Sequence, residues 1–100
     1  MDLTITEKAG QLYKNEMNLE KGEHITLFVR VGGIGSGGFS AGIYKGQPER
    51  DFKTYTVNDI TFCVSEDDEW YFDGMIIDFD EDRQKVTFVN DRIEDVTNPN

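Results

Sequence analysis

Apolar positions near the start of the chain recur at the spacing of one helix face, after a short apolar segment at residues 3–5 that predicts a strand. Residues three and four positions apart lie on the same side of a helix, so this spacing predicts an amphipathic helix over about residues 6–18. Thr6 precedes the helix as an N-cap, and Glu7 follows where the helix dipole favours an anion. The apolar positions of this face are Ala9, Leu12, Tyr13 and Met17.

From His24 onward the apolar period shortens to two, which is typical of half-buried strands. Turn residues separate the strands, because Pro48 removes a backbone donor and Asn58-Asp59 is typical of a two-residue hairpin loop. Asp73-Gly74 predicts a further turn. The predicted strands span residues 24–31, 39–45, 52–57, 60–65, 75–79 and 85–89.

A second, shorter helical turn is predicted before the last two strands. Ser65 is placed to cap it, and the acidic residues 66–69 follow where free N–H groups accept negative charge. The aromatic residues 70–72 are then expected to close the core. One helix followed by about six or seven strands predicts an α+β, mostly β fold, with the helix packed on a curled sheet. One hundred residues fit a single domain, residues 1–100.

The charge of the chain narrows the classes of partner. Ten basic residues against twenty acidic ones give a formal net charge of −10. Such a surface repels phosphate backbones and anionic lipid, so we expect neither nucleic acid nor membrane as a partner. Solubility alone is the simplest explanation of the charge, and a basic protein partner is compatible with it.

Cysteine usage and the N-terminus indicate a cytoplasmic protein. Cys63 is the one cysteine, which excludes an internal disulfide and fits a reducing compartment. The chain begins without a basic segment followed by an apolar run, and no apolar stretch approaches the ~20 residues that cross a bilayer. We therefore expect cytoplasmic residence by default.

The segment 32–42 holds six of the ten glycines and is the most informative feature of the sequence. Its spacing satisfies G-x-G-x-x-G, but a strand pattern follows where a dinucleotide site needs a helix, and the P-loop ending is absent. The simplest interpretation is a loop that needs positive φ and close backbone approach. A weaker functional alternative is a nest of N–H groups for a small anion. Its candidate residues are Gly35, Ser36, Gly37 and Gly38.

The acidic runs do not predict a metal site. Asp78, Asp80 and Asp82 match the opening of a calcium loop, but Arg83 and Val89 stand where that loop needs glycine and glutamate. A calcium site is therefore rejected. Residues 66–69 are better explained as a solvated helix start than as a ligand cluster.

The chain offers little for nucleophilic catalysis. Cys63 falls in the middle of a predicted strand, where a small thiol usually packs, and His24 opens a strand and is expected to be exposed. Pairs of carboxylates are too numerous to single out an acid and a base. We therefore predict that the protein is not an enzyme.

Four segments, in order along the chain, match the sequence pattern of a known family. Residues 3–9 are similar to its Ile-Thr-Leu-Thr-Asp-x-Ala start, and residues 29–40 to its strand, glycine loop and Cys-Ser-Gly-Phe. Residues 72–79 are similar to Leu-Asp-Gly-x-x-Ile-Asp-Tyr/Phe, and residues 88–90 to Phe-x-Asn. The chain thus resembles the HesB-like family, the A-type iron–sulfur carriers, and in particular short firmicute-type members that lack the cluster-binding cysteines.

The resemblance implies a fold and, less directly, a role. Members of the family form a pseudobarrel of short strands with an N-terminal helix, hold iron or a cluster through three cysteines, often across a dimer, and pass it to other proteins. Here Ser36 stands at the position of the first cysteine, and an ungapped count places the other two near Thr97 and Pro99. Cys63 matches no ligand position. Because clusters are normally held by thiolates, we expect no metal site and no cofactor.

Two hypotheses of different class follow. The first is a non-catalytic HesB-like protein that acts as an accessory or partner-binding protein in iron–sulfur cluster biogenesis. The alternative is a small-ligand or anion-binding module that uses the glycine-rich loop 32–42. A homodimer is compatible with either, because open strand edges tend to pair or to be covered.

Overall fold

The computed structural model describes residues 1–31 and 38–90, which form seven strands and two helices. The fold is α+β and mostly β, with the first helix directly after a short strand, as the sequence predicted. A single 3-10 turn, Glu66–Asp68, precedes the second helix. The elements are β1 Thr4–Ile5, α1 Glu7–Glu16, β2 His24–Val31, β3 Phe39–Lys45, β4 Phe52–Val57, β5 Ile60–Ser65, α2 Glu69–Phe72, β6 Met75–Asp80 and β7 Lys85–Asn90.

Helix α1 begins at its predicted cap. The Thr6 hydroxyl oxygen accepts a hydrogen bond from Ala9 N at 3.2 Å and donates one to Asp78 Oδ1 at 2.7 Å, which ties the cap to β6. The helix ends at Glu16, two residues earlier than predicted, because Asn18 takes a positive φ of 52°. The reversal lets Leu19 turn into the core, where it is 5% exposed.

The strands form two sheets. In the three-stranded sheet, β1 lies parallel to β6, and β6 lies antiparallel to β7. The four-stranded sheet has the order β3-β2-β5-β4, with β2 and β5 parallel in its centre. Strands β3 and β4, which follow each other in sequence, therefore lie at opposite edges of this sheet, and the segment between them must cross one of its faces.

The core takes side chains from the inner faces of both sheets and from α1. Ile25 and Phe62 from the four-stranded sheet, Ile77 from the three-stranded sheet and Ala9 from the helix are all fully buried. At about 25 cal/mol per Å² of apolar surface removed from water, these contacts provide the main stabilisation of the fold. Within the described residues, no helix has the length and apolar content needed to cross a membrane.

The predicted turns are confirmed. Asn58 and Asp59 join β4 to β5 with φ of 54° and 65°, the double positive φ of a type I′ loop. Gly74 takes φ of 88° between α2 and β6, and Ser65 Oγ accepts a hydrogen bond from Asp67 N at 3.3 Å as the predicted cap.

Some burial predictions were wrong. Trp70 does not close the core: its side chain is 49% exposed, whereas Tyr71 and Phe72 are buried. Val31, at the end of the alternating pattern of β2, is 88% exposed. His24 is half-buried rather than exposed, because its strand is paired on both sides.

The connection from β3 to β4, residues 46–51, crosses the outer face of the four-stranded sheet. Thr26 Oγ1 donates to Gly46 O at 2.8 Å, and Glu66 N donates to Asp51 O at 3.0 Å, so both ends of the connection are fixed. Thr26 is 1% exposed and Cys63 is fully buried, although both face away from the core side of the sheet. We refer to residues 46–51 as the crossover.

Candidate functional site

The hairpin formed by β2 and β3 extends beyond the four-stranded part of its sheet. Strand β5 pairs with β2 only from His24 to Leu27, whereas β3 pairs with β2 as far as Val31, opposite Phe39. Residues 28–31 and 39–42 therefore form a two-stranded arm.

The arm carries the glycine-rich segment that the sequence singled out. Gly35, Ser36 and Gly37 lie outside the described residues. Gly38 is described: it is exposed and takes φ of 83°, which agrees with the predicted need for a positive φ in this loop. The proposed anion site on these four residues therefore stays a prediction.

Asp68 holds α2 against the arm. Where β5 leaves β2, the N–H of Val29 donates to Asp68 Oδ2 at 3.2 Å, so a side chain continues the hydrogen bonding that the neighbouring strand no longer supplies. The Ser65 cap directs the chain into this position immediately after β5. The second helix thereby begins beside the arm, while Tyr71 and Phe72 at its end pack into the core.

An exposed apolar surface results, which we call the arm patch: Val31, Phe39 and Trp70. Phe39 and Val31 are directly paired and their side chains share the core-side face of the hairpin. The rings of Phe39 and Trp70 meet edge to face with centroids 5.3 Å apart. Since Val31 and Trp70 are 88% and 49% exposed, this patch presents an aliphatic and an aromatic side chain to solvent.

The lone thiol is packed inside the protein. Cys63 is fully buried, opposite Thr26 on one neighbouring strand and Thr54 on the other. Burial raises the pKa of the Cys63 thiol, and the Thr26 hydroxyl only partly opposes this effect. Because the thiolate is the form that attacks and ligates, the predicted packing role fits this environment.

Comparison with known proteins assigns the family. A family model described as iron-sulphur cluster biosynthesis matches residues 1–94. The chain belongs to this family. A curated relative, the "Pyruvate dehydrogenase inhibitor" of Bacillus subtilis (strain 168), is 38% identical over 92 residues, which cover 88% of this chain and 97% of the relative. The HesB-like resemblance predicted from the sequence is confirmed.

This member of the iron–sulphur cluster biosynthesis family lacks the family's thiolate set. Its sequence contains a single cysteine, so three thiolates cannot come from one chain. Ser36, Thr97 and Pro99, the residues at the ligand positions implied by the resemblance, lie outside the described residues. Within residues 1–31 and 38–90, no three His, Cys, Asp or Glu side chains are grouped as a metal site would require.

The acidic residues of β6 and its hairpin instead have structural partners. Asp78 accepts hydrogen bonds from the Thr6 hydroxyl and from Phe79 N, which lower the pKa of its carboxyl. Asp80 Oδ1 accepts hydrogen bonds from the N–H groups of Asp82 and Arg83 in the turn between β6 and β7. Lys8 forms an ion pair with Glu81 at 2.7 Å. The segment that begins like a calcium loop is thus a β-hairpin whose turn is stabilised by the Asp80 side chain.

Residues 66–69 also act as the sequence predicted, as a solvated helix start. Asp67 pairs with Arg50 at 3.5 Å and Glu69 with Lys53 at 3.8 Å, which places both ion pairs toward the crossover side and β4. Exposed pairs of this kind contribute little stability. Their effect is to pair the positive charges of Arg50 and Lys53 with this acidic segment.

Sequence reasoning missed the arm patch and a second aromatic surface. The sequence predicts that Trp70, Tyr71 and Phe72 close the core together, but only Tyr71 and Phe72 are buried. Phe28 and Tyr44 lie on the outer face of the sheet, where their rings meet at 5.6 Å. The one available signal was Phe28 itself, a large aromatic residue at a polar position of the alternating pattern.

Proposed function

We propose that this protein is a non-catalytic member of its family that acts by binding a protein, and that its partner is a pyruvate dehydrogenase whose activity it lowers. The carrying observation is the exposed arm patch. The name of the curated relative supports the choice of partner. We further propose that residues 1–100 form one domain and that the protein is cytoplasmic.

The small number of possible cluster ligands argues that a single chain does not carry an iron–sulfur cluster. Iron–sulfur clusters are held by thiolates, and this chain offers only Cys63, whose thiol is buried and has a raised pKa. Exposing it would require moving the crossover off the outer face of the sheet, and both ends of the crossover are fixed by hydrogen bonds. A role in iron–sulphur biogenesis would therefore be exerted on a partner that holds the cluster.

The position of the arm patch favours protein binding. Trp and other aromatic residues are enriched among the residues that dominate binding energy, and adjoining exposed apolar side chains are typical of interfaces. The patch continues the core face of the sheet beyond its covered part, so burying it against a partner extends an existing apolar layer. The net charge of −10 would speed encounter with a basic surface.

The proposal is tested by adding the purified chain to pyruvate dehydrogenase from the same organism and measuring pyruvate-dependent NADH formation. We expect saturable inhibition that Trp70→Ser and Val31→Ser weaken at least about tenfold. Val89→Ser is the matched control, since Val89 is 42% exposed on the other sheet. Urea unfolding of each variant verifies that it folds.

Two results would contradict the proposal. One is the absence of both inhibition and binding at high excess of the wild-type chain. The other comes from anaerobic reconstitution with ferrous iron and sulfide, followed by visible absorption and metal analysis. A stoichiometric cluster that Cys63→Ser abolishes would make the protein a carrier and Cys63 a ligand.

The glycine-loop alternative and the homodimer each have a direct test. The glycine-loop alternative would be supported if phosphate or a carboxylate raised the melting temperature, since a ligand that binds only the native state adds stability. The homodimer also remains a prediction, which sedimentation would decide.

A further inference from the structure

A groove lies on the outer face of the four-stranded sheet, between the base of the arm and the crossover. Its volume of about 430 Å³ is in the range of small-ligand sites and suits one long side chain. We call it the crossover groove. The lining residues that matter for its chemistry are Phe28, Tyr44, Pro48, Glu49, Arg50 and Asp68.

One wall of the crossover groove is aromatic. Phe28 stands opposite Gly42 in the β2–β3 register, and a Cβ at Gly42 would collide with the Phe28 ring, so this ring lies over the backbone of β3. Tyr44 meets it with centroids 5.6 Å apart and the planes inclined by 50°. Tyr44 is 41% exposed, which leaves ring surface available for a ligand.

The remaining charge of the groove is negative. Within residues 1–31 and 38–90, neither Glu49 nor Asp68 forms an ion pair; Asp68 accepts the neutral N–H of Val29. Arg50, the one cation among the lining residues, is paired with Asp67 outside the groove at 3.5 Å. The groove therefore combines an aromatic surface with two carboxylates that form no ion pair within the described part of the chain.

We propose that the crossover groove binds an arginine side chain of the protein partner. A planar guanidinium stacks on an aromatic ring and donates several hydrogen bonds in fixed directions to a carboxylate. A lysine ammonium is more strongly hydrated and lacks a plane to stack, so the groove favours arginine. The inference rests on the proposed partner-binding function and deepens it, because it names the chemistry of the contact.

The groove and the arm patch are on opposite faces of the same hairpin. Phe28 and Thr26 share the outer face, whereas Val31 and Phe39 continue the core face. A partner that covers the patch and wraps past β3, the edge strand, would reach the groove with one side chain. The two surfaces can be tested separately, because their residues do not overlap.

The direct test is a titration of the ¹⁵N-labelled protein with the peptide N-acetyl-Gly-Arg-Gly-amide, followed by backbone amide shifts. We expect weak, saturable shifts centred on residues 26–28, 44–50 and 68. The same peptide with citrulline in place of arginine, which keeps the shape and removes the charge, should produce no such shifts. The lysine peptide should bind more weakly than the arginine peptide.

Two groove variants and one remote variant make the result specific. Tyr44→Ala should weaken binding about fivefold, by loss of the cation–π contact. Asp68→Asn should also weaken it about fivefold, while its amide oxygen still accepts from Val29 N. Glu81→Gln removes the same charge from the distant β6–β7 hairpin and should leave binding unchanged.

Equal shifts with the citrulline peptide, or equal weakening by Glu81→Gln, would overturn the inference, as would an absence of shifts at the groove. Failure of the groove inference can be distinguished from failure of the proposed function. Loss of peptide binding with inhibition of pyruvate dehydrogenase intact refutes only the groove. Peptide binding without inhibition refutes only the proposed partner.

Discussion

Replacing Gly10 by alanine should destabilise this protein, although the same change stabilises most helices. Alanine is favoured over glycine by about 1 kcal/mol in a helix interior. Gly10 lies inside α1, where this gain would ordinarily be expected. The hairpin between β4 and β5 reverses the sign, because it packs directly against the backbone of the helix.

The magnitude follows from two distances. A Cβ at Gly10 would lie 2.6 Å from Asn58 Oδ1 and 2.7 Å from Val57 Cγ1, both well inside contact distance. Neither group moves easily: Val57 is paired with Ile60, and Asn58 is held at positive φ in a two-residue loop. Overpacking costs about 1–3 kcal/mol, and two simultaneous contacts below 3 Å place this site in the upper half of that range, at about 2–3 kcal/mol. Subtracting the helix-propensity gain of about 1 kcal/mol leaves a net loss of about 1–2 kcal/mol.

Urea unfolding measures this loss as a lower midpoint at unchanged slope. Asn58→Gly is the diagnostic partner, since glycine tolerates the positive φ and removes Oδ1, an atom with no hydrogen-bond partner in the described part of the chain. The double variant should recover about 1 kcal/mol relative to additivity. A stabilised Gly10→Ala variant would show that helix and hairpin do not approach this closely.

Three further predictions concern titratable groups. Hydrogen bonds from the Thr6 hydroxyl and from the N–H of Phe79 lower the pKa of Asp78, so the carboxylate stabilises the fold above its ordinary pKa of 3.8 and this contribution is lost as pH falls below it. Asp78→Asn should therefore reduce the loss of stability with falling pH, and an unchanged loss in the variant would contradict the assignment. Burial raises the pKa of Tyr13 to about 12, so the folded state should lose stability as pH rises from about 10 toward 12. Burial also raises the pKa of Tyr55 and Tyr71, so Tyr13→Phe should reduce that loss in alkaline urea titrations without removing it, and a wild-type slope in the variant would refute the assignment. The Cys63 thiol should resist a disulfide reagent in the folded protein and react fully in urea, whereas rapid native labelling would mean that the crossover does not cover it stably.

Local sequence determined the elements and several of their ends. Thr6 and Ser65 cap their helical turns because a side-chain oxygen reaches an N–H two or three residues away, a contact that needs no distant partner. Asn58 and Asp59 form the hairpin loop because both residues tolerate positive φ. The alternating pattern located the strands, and the ordered motifs identified the family and the missing thiolates without coordinates.

Tertiary structure decided which surfaces these elements expose. The place where β5 leaves β2 determines that Val31 is exposed and that Asp68 bonds Val29, and this depends on pairing between segments more than 30 residues apart. The same strand order carries the crossover over the outer face, which buries Cys63 and forms the groove beside Tyr44. Periodicity reports which residues share a face of one strand, but only the order of strands in the sheet decides what covers that face.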